Sequence, residues 1–166
     1  DKWILSELDN LIKECKKGYD DYNFFIPAIA IREFTWNVFA AHYIEMAKAR
    51  AYGIEFSDEE RDGAIFTLHK TLSTILKLLA PITPFITEYL WKILYSSERI
   101  HKQRQVESEN VEIQSNITKE ITEFNSKVWN EKKSQNLSLK DSIKIEIPEN
   151  LKPFIKDLKS MHNLLD

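Results

Sequence analysis

Two prolines three positions apart, Pro81 and Pro84, interrupt an otherwise continuous apolar helical pattern. Pro81 has no N–H to give to a helical ladder, and its ring opposes the preceding turn. Thr83 is placed to cap a new helix, and Pro84 suits a first helical position. The stretch Leu78–Trp91 therefore encodes a sharp break between two apolar helices and contains no catalytic group. Few other breaks are available, because the 166 residues include only 3 Gly and 5 Pro. Long helices follow from that scarcity.

Periodicity sets out the rest. Ile4, Leu5, Leu8, Leu11 and Ile12 recur at three- and four-residue steps and predict a helix from about Lys2 to Gly18. A second helix is expected from Phe24 to Ala51, with Asn23 as N-cap and Pro27 in the first turn. It carries two apolar stripes, Ile29, Trp36, Phe39, Tyr43 and Met46 on one side and Ile31, Phe34, Val38 and Ala41 on the other. A helix apolar on two sides belongs at the centre of a bundle, so this one is expected to be the hub, with Trp36 inside. Ser57-Asp58-Glu59-Glu60 has capping-box spacing and opens a third helix. Its stripe of Ile65, Leu68, Leu72, Ile75, Leu76 and Leu79 runs to the proline break. The fourth helix, Pro84 to about Tyr95, should turn Phe85, Ile86, Tyr89, Leu90, Ile93 and Leu94 inward onto the hub.

The segment from Ser96 to Gln114 is polar and aperiodic, which reads as a loop. Ile117, Ile121, Phe124 and Val128 predict a fifth helix over about 116–134. The period then changes to two: Ile143, Ile145 and Ile147 alternate with Lys144 and Glu146, as in a half-buried strand ended by Pro148. A lone strand needs a partner, and Val111–Ile113 is the segment able to supply one. A last helix is expected from Leu151 to Asn163. The fold class is mainly α: an antiparallel helical bundle over 1–96, a polar linker over 97–115, and a small C-terminal α/β appendage of helix, strand and helix over 116–166.

Independent chemistry is scarce. The single cysteine, Cys15, excludes an internal disulfide and suits a reducing cytosol. His42, His69, His101 and His162 lie far apart with no metal-ligand spacing around them. Three scattered glycines cannot build a phosphate-cradling loop. No apolar run approaches the ~18 residues of a membrane span. The N-terminus has no signal-peptide layout, and a start without Met inside an amphipathic pattern is expected of a fragment of a longer chain.

The net charge of −3 argues against a generic nucleic-acid binder, but its distribution is uneven: −5 over residues 1–62 and +2 over the remainder. Local clusters matter more than the total, since salt limits an exposed charge to roughly 8–10 Å. Arg32, Trp36, Tyr43 and Arg50 fall near one face of the second helix if its period is 3.6. An exposed aromatic there could stack on an unpaired base and a guanidinium could bind phosphate. The bland alternative keeps Trp36 and Tyr43 in the core and Arg32 in an ion pair. Lys127, Lys132, Lys133 and Lys140 cluster at the end of the fifth helix and in the loop that follows, where phosphate contact competes with simple solvation of a helix C-terminus. Arg99, Lys102 and Arg104 lie in the polar linker and read as a solvated loop, with His101 beside them.

Several segments together resemble the anticodon-binding domain of class I aminoacyl-tRNA synthetases. They are D-K-W-I-L-S-E-L (Asp1–Leu8), A-P-I-T-P-F-I-T-E-Y-L-W (Ala80–Trp91) and, loosely, S-E-R-I-H (Ser97–His101). F-T-W-N-V-F-A-A-H-Y-I-E-M-A-K-A-R (Phe34–Arg50) is similar to the valyl branch, and N-E-K-K-S-Q-N-L-S-L-K (Asn130–Lys140) to its archaeal type. The resemblance implies a helical bundle that grips the anticodon arm of valine tRNA. The parent enzyme's catalytic and editing domains, using ATP and Mg, would carry out aminoacylation in the cytoplasm. Equivalent domains of isoleucyl or leucyl enzymes, or a bundle that binds protein and no RNA, are the alternatives. The catalytic H-x-G-H and K-M-S-K-S signatures do not occur here, so this chain alone is expected to be inactive and to hold no cofactor. A family helix with a W-N-x-x-R-F-like pattern, which contributes to anticodon reading, is also absent. On this resemblance the expected tRNA contacts are Arg32, Trp36, Arg50, Lys127, Lys132, Lys133 and Lys140.

Overall fold

The computed structural model describes residues 1–111 and 116–165. The chain runs through α1 (Lys2–Asp20), α2 (Phe25–Glu33), a π-helical segment (Phe34–Ile44), α3 (Glu45–Ala51), α4 (Asp58–Leu79), α5 (Pro84–Leu94), α6 (Ile117–Ser134) and α7 (Ile155–His162). Short 3₁₀ turns lie at Ile100–Lys102 and Glu149–Phe154. The mainly α expectation holds, with α2, the π-helical segment and α3 following one another without a break.

Helix α1 behaves as its periodicity requires: Trp3, Ile4, Leu8, Leu11, Ile12 and Cys15 are all buried. The turn to α2 is tight because Gly18 sits against Pro27. A Cβ at Gly18 would lie 2.5 Å from Pro27 Cδ and 2.8 Å from its Cγ. The Asn23 side chain accepts from the N–H groups of Phe25 at 3.2 Å and Ile26 at 3.4 Å, which meets the free donors of the first turn of α2. The capping box at the start of α4 is complete: Glu60 N–H donates to Ser57 Oγ at 3.2 Å, and Ser57 N–H donates to Glu60 Oε2 at 2.8 Å.

The hub departs from the 3.6 period. Its buried aromatics are Phe34, Phe39 and Tyr43, at steps of five and then four residues. That spacing is wider than an α-helical turn and matches the i→i+5 ladder of a π-helix. Their rings stack in sequence, Phe34 on Phe39 with centroids 6.3 Å apart and Phe39 on Tyr43 at 6.0 Å. Trp3 of α1 closes the row edge-on to Tyr43 at 5.7 Å. Of the expected stripe, Phe39, Tyr43 and Met46 are buried, but Trp36 is turned out to 75% exposure.

The break at Pro81 is as expected, with α4 ending at Leu79 and α5 starting at Pro84. Two details differ. Thr83 makes no side-chain cap; its hydroxyl lies 3.4 Å from the Leu79 carbonyl behind it, while the N–H groups of Ile82 and Thr83 take that same carbonyl at 2.9 Å each. And α5 does not pack on Trp36. Its buried Trp91 joins Leu76, Ala80 and Ile100 in a small separate cluster. Of the residues expected inward, Phe85 is 91% exposed, and Ile86, Tyr89, Ile93 and Leu94 are also exposed.

Among the described residues the C-terminal region does not show the α/β unit expected. Residues 143, 145 and 147 do alternate inward with 144 and 146 outward, so the period of two is real. Among the described residues, however, the sheet reduces to one parallel bridge, Ile143 with Leu164. Most of the segment proposed as strand partner, residues 112 and 113 of Val111–Ile113, lies outside the described residues, as do 114, 115 and 166. Ile117, Ile121, Phe124 and Val128 of α6 and Leu158 of α7 are buried in the same core as α1 and the π-helical segment.

Gly18→Ala should destabilise the chain by about 1–3 kcal/mol, because a methyl there collides with a rigid ring. Gly63→Ala, whose Cβ meets nothing closer than Asp1 Oδ2 at 3.5 Å, should be neutral or stabilise by up to ~1 kcal/mol as a helix-interior glycine replaced. Urea melts of the two variants beside the parent chain check both.

Candidate nucleic-acid interface

The four residues aligned by a 3.6 period separate into two pairs. Arg32 and Trp36 are exposed, and Tyr43 and Arg50 turn inward. Trp36 and Tyr43 both lie within the π-helical segment, whose turns are wider than 3.6 residues, so the four residues do not share the single face that an α-helix would give them.

Arg50 is therefore not a surface contact. Its guanidinium grips the Asp1 carboxylate at 2.6 and 3.0 Å, and its Nε lies 3.4 Å from Asp157 of α7. Tyr43 donates to the same Asp1 carboxylate at 2.6 Å. Burial pushes the Asp157 carboxyl up, and Arg50 pulls it back down. This cluster joins α1, the π-helical segment, α3 and α7.

Lys132 is a second correction. Its residue exposure is 0%, and its ammonium donates to the carbonyl oxygens of Leu139 and His162, each at 2.7 Å. No surface for a phosphate remains on it. A buried cation needs compensation. Here the carbonyl at the C-terminal end of α7 provides part of it, at the negative pole of that helix. Burial holds the Lys132 ammonium below its ordinary pKa, while Asp141 pulls it back up.

Lys132 opens a buried polar chain that spacing alone hides. His162 Nε2 lies 2.8 Å from Asn125 Oδ1, and Asn125 Nδ2 lies 3.1 Å from His42 Nδ1. Since the amide nitrogen can only donate, His42 Nδ1 accepts and that ring is neutral. Trp129 covers His42 at 5.3 Å between centroids. Two histidines expected to be far apart thus flank one asparagine.

Lys127, Lys133 and Lys140 are exposed. Lys127 lines a shallow groove on α6 with Glu123 and Glu131, and Lys133 another with Trp129 and the exposed Leu139. Arg32 is exposed and ion-paired with Glu33 at 2.5 Å. Glu33 accepts from Asn37 as well, and these bonds, led by the one from Arg32, hold its carboxyl below the usual range.

The segment 96–111 is not a free loop. Ile100 is buried in the small core with Trp91, and its N–H donates to Glu88 at 2.8 Å. Further on, Asp9 of α1 accepts from Ser108 Oγ at 2.9 Å and from Glu109 N–H at 2.7 Å. Burial pushes the Asp9 carboxyl up, but these bonds and one from Lys13 outweigh it and leave it lowered. Nothing in the local sequence signals this seating, because both anchors are long-range. Among the described residues no group of three His, Cys, Asp or Glu could hold a metal ion, and no helix is long and apolar enough to cross a membrane.

Long helices packed around an aromatic row define a mainly α helical bundle, with basic and aromatic side chains among those left on its outer surface. The chain belongs to the family described as the anticodon-binding domain of tRNA ligase, whose model matches residues 1–147. Among its relatives is the valine–tRNA ligase of Pyrobaculum aerophilum, 34% identical over 100% of this chain and 21% of that protein. The valine–tRNA ligase of Aeropyrum pernix is 33% identical over 98% of this chain and 21% of its own length. That of Archaeoglobus fulgidus is 45% identical over 55% of the chain and 10% of that protein. The chain spans about a fifth of the length of the first two relatives.

The buried chain predicts a pH response. Burial, then Lys132 and His42, lowers the His162 pKa to about 4. The unfolded chain, with an ordinary histidine near ~6.5, binds more protons between those values, so stability falls as pH drops from ~6.5 to ~4. The loss attributable to His162 is on the order of 3 kcal/mol. Urea melts across that window should show it, and His162→Gln should remove most of the slope.

Proposed function

We propose that the chain is the anticodon-arm-binding domain of a valine–tRNA ligase. In the parent enzyme it holds valine tRNA while catalytic and editing domains elsewhere in the polypeptide, with ATP and Mg, perform the aminoacylation in the cytoplasm. The observation that carries this reading is the family match over 1–147, supported by relatives that are valine–tRNA ligases and align over nearly the whole chain.

Contact with RNA falls to residues with exposed charge or ring. Lys127, Lys133 and Lys140 position the RNA backbone, because lysine offers a point charge to phosphate without reading sequence. Trp36 offers a stacking face to an unpaired base, with Arg32 one helical turn before it. Arg50 and Lys132 act through the fold, by holding α3, α6 and α7 in place. Such an interface binds by counterion release, which makes it strongly salt-dependent.

Filter binding of the chain to a valine tRNA transcript at a series of salt concentrations tests the proposal. The expected result is salt-dependent binding, weakened at least ~10-fold in a Lys127→Glu, Lys133→Glu, Lys140→Glu variant, with the log–log salt slope reduced by about 2–3. Trp36→Ala should cost about 1–3 kcal/mol of binding, the worth of one stacked base. Absence of any tRNA binding by the unaltered chain removes the proposal; binding unchanged in the triple variant removes the lysines from it.

A further inference from the structure

A cavity of about 140 Å³ lies where the segment after α5 crosses α1 and α4. Its lining includes Lys16 of α1, Lys77 of α4, and His101 and Arg104 of the crossing segment. Among the described residues no carboxylate lines it. The chain as a whole is acidic, so basic groups converging from three elements with no acid between them stand apart from its surface average. Several surface cations, Lys13, Lys48, Lys70, Lys92, Lys152 and Arg61, are held in ion pairs. Lys16, His101 and Arg104 have no ion-pair partner among the described residues, and Lys77 is held over the Trp91 ring at 5.2 Å.

The cavity is built on fixed supports. Ile100, buried beside Trp91, holds His101; Val106, packed on the main core, holds the far side of Arg104. Tyr19 lines the wall and is tied down by its bond to the Leu78 carbonyl at 2.5 Å. Gln103 and Gln105 add neutral amide groups to the rim. That is space for several waters, at about 10–15 Å³ of cavity volume each, and so leaves room for a small tetrahedral anion.

We infer that this cavity binds a phosphate of the RNA backbone. It is a second positioning point, distinct from the lysines of α6, and this assignment rests on the tRNA-binding reading above. The chemistry is that of point-charge and guanidinium recognition of phosphate, with lysine, arginine and histidine donating to non-bridging oxygens. Contacts of this kind fix register on the RNA and carry no base preference.

The test is filter binding of valine tRNA by the chain carrying Lys16→Glu and Arg104→Glu, measured over a salt series. Both side chains are exposed, so folding should survive, and a thermal melt monitors it. The expected result is a loss of roughly 10-fold or more in affinity and a fall in the log–log salt slope of about 1. The conservative Lys16→Arg, Arg104→Lys variant should bind within about twofold of the unaltered chain. A charge-matched Lys119→Glu, Lys152→Glu variant, altered outside the cavity, should lose clearly less. If the unaltered chain binds and the cavity variant matches it, or loses no more than the charge-matched one, the cavity site is overturned. If the unaltered chain binds no tRNA, the functional reading itself fails and takes this assignment with it.

Discussion

The position of the C-terminal third depends on one buried cation. Lys132 brings a full charge into the core and can stay there only while the carbonyls of Leu139 and His162 both face it. Those carbonyls belong to different pieces of chain, the loop after α6 and the end of α7. Satisfying one ammonium therefore closes a ring of structure that weak secondary-structure propensity could not. The same demand extends through His162 and Asn125 to His42, so α6 and α7 are registered on the π-helical segment by hydrogen bonds as well as by apolar contact. Removing one partner of such an arrangement costs far more than the net value of any bond in it, because a buried donor or charge is left unsatisfied.

Around that constraint the molecule sorts its charged and aromatic groups by depth. Arg50 and Lys132 work inside the fold, and Arg32, Trp36, Lys127, Lys133 and Lys140 remain at the surface. The proposed RNA-facing surface is assembled from what the core does not consume. This also explains how an acidic chain can serve a polyanion: its basic groups are spent locally, in a few places, and the average over the surface says little about any one patch.

Much of the fold was legible in the sequence because its signals are local. The apolar stripe of α1, the capping box at Ser57 and the break at Pro81 each depend on residues within a turn or two of one another. The misreadings at Trp36, Arg50 and Lys132 share a different cause. Placing Trp36 and Arg50 required knowing that the turns between Phe34 and Ile44 are wide; a 3.6 template sets the two on one face, although it still places Tyr43 and Met46 inward. Placing Lys132 required knowing that Leu139 and His162 come together. The alternation at Ile143–Ile147 shows the same division: inward and outward positions were readable, but the partner that would make a sheet is a long-range fact.

The wide turns also change how the hub bears on the rest of the bundle. Seen end on, they act as a phase coupling between two rigid rods. Each residue of an α-helix advances about 100° around the axis, so losing a single residue within Phe34–Ile44 would rotate α3 by roughly that angle relative to α2. Arg50 would swing away from Asp1 and Asp157, and the aromatic row of Phe34, Phe39 and Tyr43 would fall out of line together. The segment is consequently intolerant of a change in length in a way that the composition of its residues does not disclose.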